Sequence, residues 1–292
     1  MPKITGALLV FTGFAQAHEG QALEPHDLWT AWTWDPLIVA GLAILAWGYI
    51  RGASRERGIA SWEAGCFWAG WLTLFVALLS PLHPMGEVLF SAHMAQHELI
   101  MALAAPLLVL GRPLIPLLWS APGTWRRGLG SIPKRHAVAR AWDWLVNPLV
   151  AWSIHLVALW GWHIPALFEA TLTSDAVHTA QHLSFLGSAL LFWWALIRRH
   201  GARKQYGAAV FYVFTTAVHT SILGAWLTFA PTLWYPLYGA TTEPWGLTPL
   251  EDQQLGGLIM WVPAGLTYLV AALALFYQWI NPPEWLSLSE AD

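Results

Sequence analysis

The sequence predicts an all-α membrane protein, a seven-transmembrane-helix bundle with its N-terminus outside and its C-terminus inside. Three observations lead there. Of 292 residues, 57% are hydrophobic and only 11% are charged, with a mean hydropathy of +0.48, whereas soluble chains run near a quarter charged. The apolar residues gather into segments close to the length of about 20 that a helix needs to cross a bilayer. Lysine and arginine, finally, are confined to alternate loops, the pattern of the positive-inside rule.

The elements follow in order. Residues 1–17 combine Lys3, an apolar run at 4–14 and Ala15-Gln16-Ala17, which reads as a signal peptide of A-x-A type. Residues 18–34, with His18, Glu19, Glu24, His26 and Asp27, form an external N-terminal segment. Apolar segments near 36–50, 62–79, 91–110, 147–164, 175–197, 206–229 and 255–280 make a seven-helix domain over 35–280, leaving 281–292 as a cytoplasmic tail. The first segment is short and must draw on 31–35 or the following loop to span. Pro106, Pro148 and Pro263 lie in or near segment ends, where bundles tolerate them. The 111–146 connector contains a candidate interfacial amphipathic stretch around 133–144, beside the plainer reading of a basic loop.

The charges set the orientation. Arg51, Arg55 and Arg57 lie between spans one and two; Arg112, Arg126, Arg127, Lys134, Arg135 and Arg140 between three and four; Arg198, Arg199, Arg203 and Lys204 between five and six. With Lys3, these are all 14 basic residues, and the loops at 80–90, 165–174 and 230–254 contain none. The basic loops therefore face the cytoplasm. The composition also excludes function classes. A single cysteine, Cys66, rules out an internal disulfide and any CxxC motif. Basic patches interleaved with exposed aromatics are absent, so no nucleic-acid partner is expected; the lipid bilayer is.

Histidine carries the functional signal. His93/His97 and His178/His182 each have HxxxH spacing, which places both rings on one helix face about 6 Å apart along the axis. Imidazoles are costly in lipid and generally functional there. On the predicted topology both pairs sit in the outer half of their spans, so four imidazoles on facing helices can meet, a donor set suited to Cu, Zn or Fe. His83, His163 and His219 join the same outer layer as further candidate ligands, while His155 lies about 12 Å deeper than His163 and reads as a packing residue. Met94 and Met260 are candidate thioether ligands. Asp175, Asp252, Gln96 and Gln181 are candidate supports that orient histidines or cap helices. No HExxH is present, and Glu98 faces about 100° away from His97, so a zinc-hydrolase mechanism lacks its base. The chain is expected not to be an enzyme.

The motifs resemble those of the caa3-type cytochrome c oxidase assembly factors, the multi-span CtaG family. The matching stretches are Ser91-Ala-His-Met-Ala-Gln-His97 running on to Ala104-Ala-Pro-Leu-Leu108 and Gly111-Arg-Pro113, then Trp160-Gly-Trp-His-Ile-Pro165. His178-Thr-Ala-Gln-His-Leu-Ser-Phe185 with Phe192-Trp193, and Asp252-Gln-Gln-Leu-Gly-Gly-Leu-Ile-Met-Trp261, continue the match, with His83 and Leu227-Thr-Phe229 also fitting. The resemblance implies a multi-pass protein of the bacterial inner membrane that helps assemble a haem–copper oxidase. It implies copper binding and delivery at His93, His97, His178 and His182, supported by His83, His163, Met94 and Met260. The implied partner is an oxidase subunit or another assembly factor. Two alternatives stand beside it: a b-type haem redox protein with axial histidines, and a scaffold whose histidines only knit the bundle.

Overall fold

The computed structural model describes residues 23–55, 58–198 and 203–281. The expected leader at 1–17, the start of the external segment with His18 and Glu19, and nearly all of the 281–292 tail lie outside these residues. Every regular element described is helical, and the helices form one bundle.

Helix α1 (Pro36–Ala53) opens on Asp35, whose carboxylate accepts from the amides of Leu37 at 2.7 Å and Ile38 at 3.1 Å, with Pro36 at a position where a missing N–H costs nothing. It reaches span length by extending to Ala53 rather than by recruiting 31–35. Helix α2 (Ser61–Leu79) follows, then the short α3 (Leu82–Val88). The third span, Phe90–Leu110, comes in three pieces: α4 (Phe90–Glu98), a π-helical turn (Leu99–Ala104) and α5 (Ala105–Leu110). Pro106 explains the irregularity, because it brings no N–H and its ring clashes with the carbonyl four residues earlier.

The connector between spans three and four folds into α6 (Leu114–Ser120), α7 (Gly123–Ser131) and α8 (His136–Leu145). Helix α9 (Pro148–Trp162) differs from the expected 147–164 span. It has only 15 residues, about 22 Å by helix rise, and joins α8 at a 62° bend. Asn147-Pro148 breaks the run: Asn147 caps α9 through the Leu149 amide at 3.0 Å, and the residue before a proline resists helical geometry. Ile164-Pro165 ends it in the same way and starts α10 (Pro165–Thr173). Helices α11 (Asp175–Arg198), α12 (Arg203–Thr228) and α13 (Pro249–Ile280) complete the bundle. Six helices among the described residues are long and apolar enough to cross a membrane, or seven if the bent α8–α9 pair counts as one.

Two packing devices position the site. Helix α13 has its own cap, Thr248, which accepts from the Glu251 amide at 3.3 Å. This leaves Asp252 free to cap a different helix. Its carboxylate, fully buried, accepts from the Phe90 amide at 2.6 Å, the Ser91 amide at 3.1 Å and the Ser91 hydroxyl, fixing the start of α4. Gly256 and Gly257 then let α13 approach on two sides. A Cβ at Gly256 would meet the Phe90 ring at 2.3 Å, and one at Gly257 would meet the Thr228 amide nitrogen at 2.5 Å. At the other end of the bundle Arg198 donates to the Val109 carbonyl at 3.0 Å and Arg112 pairs with Glu63 at 3.2 Å.

Candidate metal centre

Helices α4 and α11 face each other with α3 across one end, and five histidines meet there. Ring centroids are 4.3 Å apart within each HxxxH pair (His93–His97 and His178–His182). Between helices they are 5.2 Å apart for His93–His178, 5.4 Å for His97–His182 and 6.4 Å for His93–His182. His83, at the start of α3, stacks on His178 at 5.3 Å and meets His182 at 6.0 Å. Phe168 and Phe185 wall the cluster, 4.9 Å from His93 and 4.6 Å from His97. The rings run from half-buried His83 to His93 and His97, which are 0% and 1% exposed.

Hydrogen bonds assign the tautomers. A carbonyl oxygen only accepts, so His93, with Nδ1 3.2 Å from the Gly86 carbonyl, carries its proton there and leaves a lone pair on Nε2. That nitrogen is 3.1 Å from Gln181 Oε1; an amide oxygen only accepts, so a neutral His93 ring requires the Gln181 amide turned to present its N–H there instead. Gln96 donates to the Ala77 carbonyl at 2.7 Å and to His83 Nδ1 at 2.9 Å, which puts the His83 proton on Nε2. Both candidate glutamines thus orient cluster rings, each across to another element. His163 donates from Nδ1 to the Leu159 carbonyl at 2.7 Å, and its Nε2 lone pair is buried without a partner. The same is true of Nε2 on His178 and His182, and of both ring nitrogens of His97.

Rings sharing one ion hold their nitrogens about 2 Å from it, which puts ring centroids about 5 Å apart. Seven of the ten pairs among the five rings bracket that spacing, at 4.3–6.4 Å. Their nitrogens are not gathered around one point, however: among the described residues no three His, Cys, Asp or Glu side chains form a ready-made metal centre.

The other candidates sit as follows. His163 is an electrostatic neighbour of His93 and His97 and shares Phe168 and Phe185 with them. His219 is held elsewhere: Trp160 donates to its Nδ1 at 3.4 Å and Trp152 packs on it. His155 bonds Ser188 at 3.1 Å, the packing role expected of it. Met94 is fully buried and directed at Gly256 of α13, and Met260 lies in the apolar core. Asp175, in the first turn of α11, is the carboxylate whose charge reaches both His83 and His178. Burial holds the His83 imidazole below its ordinary pKa, with Asp35 and Asp175 opposing the shift. Desolvation by the neighbouring protein, with the charge of Asp175, raises the Glu87 carboxyl nearby.

Sequence reasoning missed Tyr238 and Tyr235. Tyr238 donates to the Gly86 carbonyl at 2.7 Å and lies 3.4 Å from His93 Nδ1; Tyr235 donates to the His163 carbonyl at 2.9 Å. The one signal for them was the aromatic run Trp234-Tyr-Pro-Leu-Tyr238 in a loop without basic residues.

Fold and site together define an integral membrane helical bundle with a polar histidine cluster near one end. The description "cytochrome c oxidase caa3 assembly factor (Caa3_CtaG)" matches residues 43–281, and the chain belongs to that family of assembly factors, which are not enzymes. It is 31% identical over 269 residues to the uncharacterized protein Mb0105 of Mycobacterium bovis and, equally, to the uncharacterized protein MT0111 of Mycobacterium tuberculosis. Each match covers 86% of this chain and 39% of the relative. The uncharacterized protein ML1998 of Mycobacterium leprae is 27% identical, with 89% and 41% covered. The chain thus spans about two-fifths of the length of the curated relatives it matches. No solved structure matches it.

Proposed function

We propose that the chain binds copper at the histidine cluster, on the outer side of the bacterial inner membrane, and passes it to a haem–copper oxidase subunit or a second assembly factor. The observation that carries this reading is the set of buried ring nitrogens without hydrogen-bond partners on His97, His178 and His182. Leaving such groups unmade costs about 1–3 kcal/mol each, a cost that a bound ion offsets. His93, His97, His178 and His182 are the proposed ligands. His163 is ligand-ready beside them, because a ring that donates Nδ1–H to a carbonyl has the orientation typical of metal-bound histidine. His83 stands at the half-buried edge as the first ring an incoming ion meets. His219, Met94 and Met260 are directed elsewhere and are not assigned to the site.

Copper here is cargo. The residues bind it by moving side chains a short way, since the rings are adjacent and their nitrogens dispersed. Gln181 and Gly86 hold His93, while His97 has no hydrogen bond to break before it meets the ion. The test is metal analysis and copper-edge anomalous scattering on the copper-loaded protein, with His97→Ala and His182→Ala beside the wild type. About one copper per chain, lost in both variants, is the expected result. Equal sub-stoichiometric copper in all three overturns the assignment, and a strong Soret band in purified protein replaces copper with haem.

A further inference from the structure

The connector between the third and fourth spans holds a second feature, independent of the histidines. Helices α7 and α8 bury no residue against the rest of the chain, yet both are patterned. Trp125 and Leu129 stand four apart in α7. In α8, Val138, Ala141, Trp142 and Leu145 fall at i, i+3, i+4 and i+7, while His136, Arg140 and Asp143 repeat along another face. On these faces Trp125 is 70%, Leu129 46%, Val138 38% and Trp142 41% exposed. Large apolar groups aligned on a face and left uncovered mark a surface that something else covers.

The charge says what covers it. Residues 123–145 carry Arg126, Arg127, Lys134, Arg135 and Arg140 against a single acid, Asp143. The position says the same. Helix α8 runs through one 62° bend into α9, and Trp142 meets Trp194 of α11 at 5.4 Å, so the pair lies at the membrane boundary. Arg126 sits 4.3 Å over the Trp119 ring, a guanidinium held at the level of the aromatic belt. We propose that α7 and α8 lie in the plane of the leaflet and bind anionic phospholipid headgroups. Their apolar faces then enter the acyl boundary and their basic residues meet the phosphates. An acidic protein partner would need to reach apolar residues that already lie at lipid level, which favours the bilayer.

The full chain in nanodiscs tests this by hydrogen–deuterium exchange of 123–145. One set of discs contains phosphatidylcholine alone, and the other includes about one-third phosphatidylglycerol. The expectation is exchange slowed by about tenfold or more in the anionic discs at about 0.1 M salt, diminishing toward about 1 M, where the Debye length falls to about 3 Å. Changing Arg126, Arg127, Lys134, Arg135 and Arg140 to Gln together should abolish the lipid difference while exchange in 175–198 is unchanged, which shows that the variant folds. Equal exchange of wild-type 123–145 in the two lipids overturns the proposal, as does protection seen only when a protein partner is added.

Discussion

Replacing His97 by Leu should leave the metal-free protein at least as stable as wild type while removing copper. His97 is 1% exposed, and neither ring nitrogen has a partner. A buried unsatisfied polar atom costs about 1–3 kcal/mol. Leucine abolishes that cost, and replacing a flat ring by a branched side chain of similar volume gives back about 1 kcal/mol in imperfect packing. The net change is from about zero to 2 kcal/mol of stabilisation, or roughly 0 to 8 °C in Tm at about 2–4 °C per kcal/mol for a large domain. Copper affinity should fall by at least the roughly 10–100-fold typical of losing an outer-shell partner. His155→Leu is the matched control, because His155 is equally buried but bonded to Ser188; it should lose about 1 kcal/mol and retain copper. Thermal unfolding in detergent, with competition against a chromophoric cuprous chelator, reads both quantities. A His97→Leu protein destabilised by more than about 2 kcal/mol with unchanged copper affinity would show that the ring is structural and refute the reasoning.

Three further substitutions separate the supports from the ligands. Gln181→Leu should weaken copper binding by about 10–100-fold with a Tm change of only a few degrees, since it removes the amide that fixes His93; chelator competition checks it. Asp252→Ala frees two amides and a hydroxyl at the start of α4 and should cost about 2–4 kcal/mol, seen as a lower Tm in apo and loaded protein alike. Gly257→Leu forces a side chain into the α12 backbone, 2.5 Å from the Thr228 amide nitrogen, and should leave no folded monomer on size-exclusion chromatography.

The existence of the long helices was legible because composition and span length are properties of contiguous sequence. The pairing within each HxxxH motif was legible for the same reason, from helix periodicity alone. What the sequence withheld were contacts set by the third dimension. Asp252 looked like a local cap for α13, but a residue 161 positions away from Ser91 reaches over to cap α4 instead. The fourth span was legible to within two residues at each end, 147–164 against Pro148–Trp162, but the 62° bend that joins it to α8 was not, because hydropathy does not register backbone direction. His219 and His163 appeared equivalent in the outer layer, and only the donors and acceptors around each ring separate them. Tyr238 carried too generic a signature to be singled out, since an aromatic at a membrane border is expected everywhere.

The choice of donors bears on what the proposed site does with its ion. Imidazole ligates a metal in its neutral form, Asp252 is committed to α4, and Asp175 stands at the first turn of α11 rather than among the rings. A neutral donor set cannot cancel the charge of a bound cation. The Born cost of moving a unit charge into a low-dielectric interior is of order 20 kcal/mol in the ideal limit, and it rises with the square of the charge. A cuprous ion therefore pays about a quarter of what a cupric or zinc ion does, which favours the monovalent state without any sulfur ligand. The same uncancelled charge limits affinity, so such a site suits transit rather than storage. Placing a carboxylate among the rings, as in Phe185→Glu beside His97, should invert the preference and retain divalent zinc through size-exclusion. If that variant still discriminates for cuprous copper by the wild-type ratio, the neutrality of the ligands is not what selects the ion.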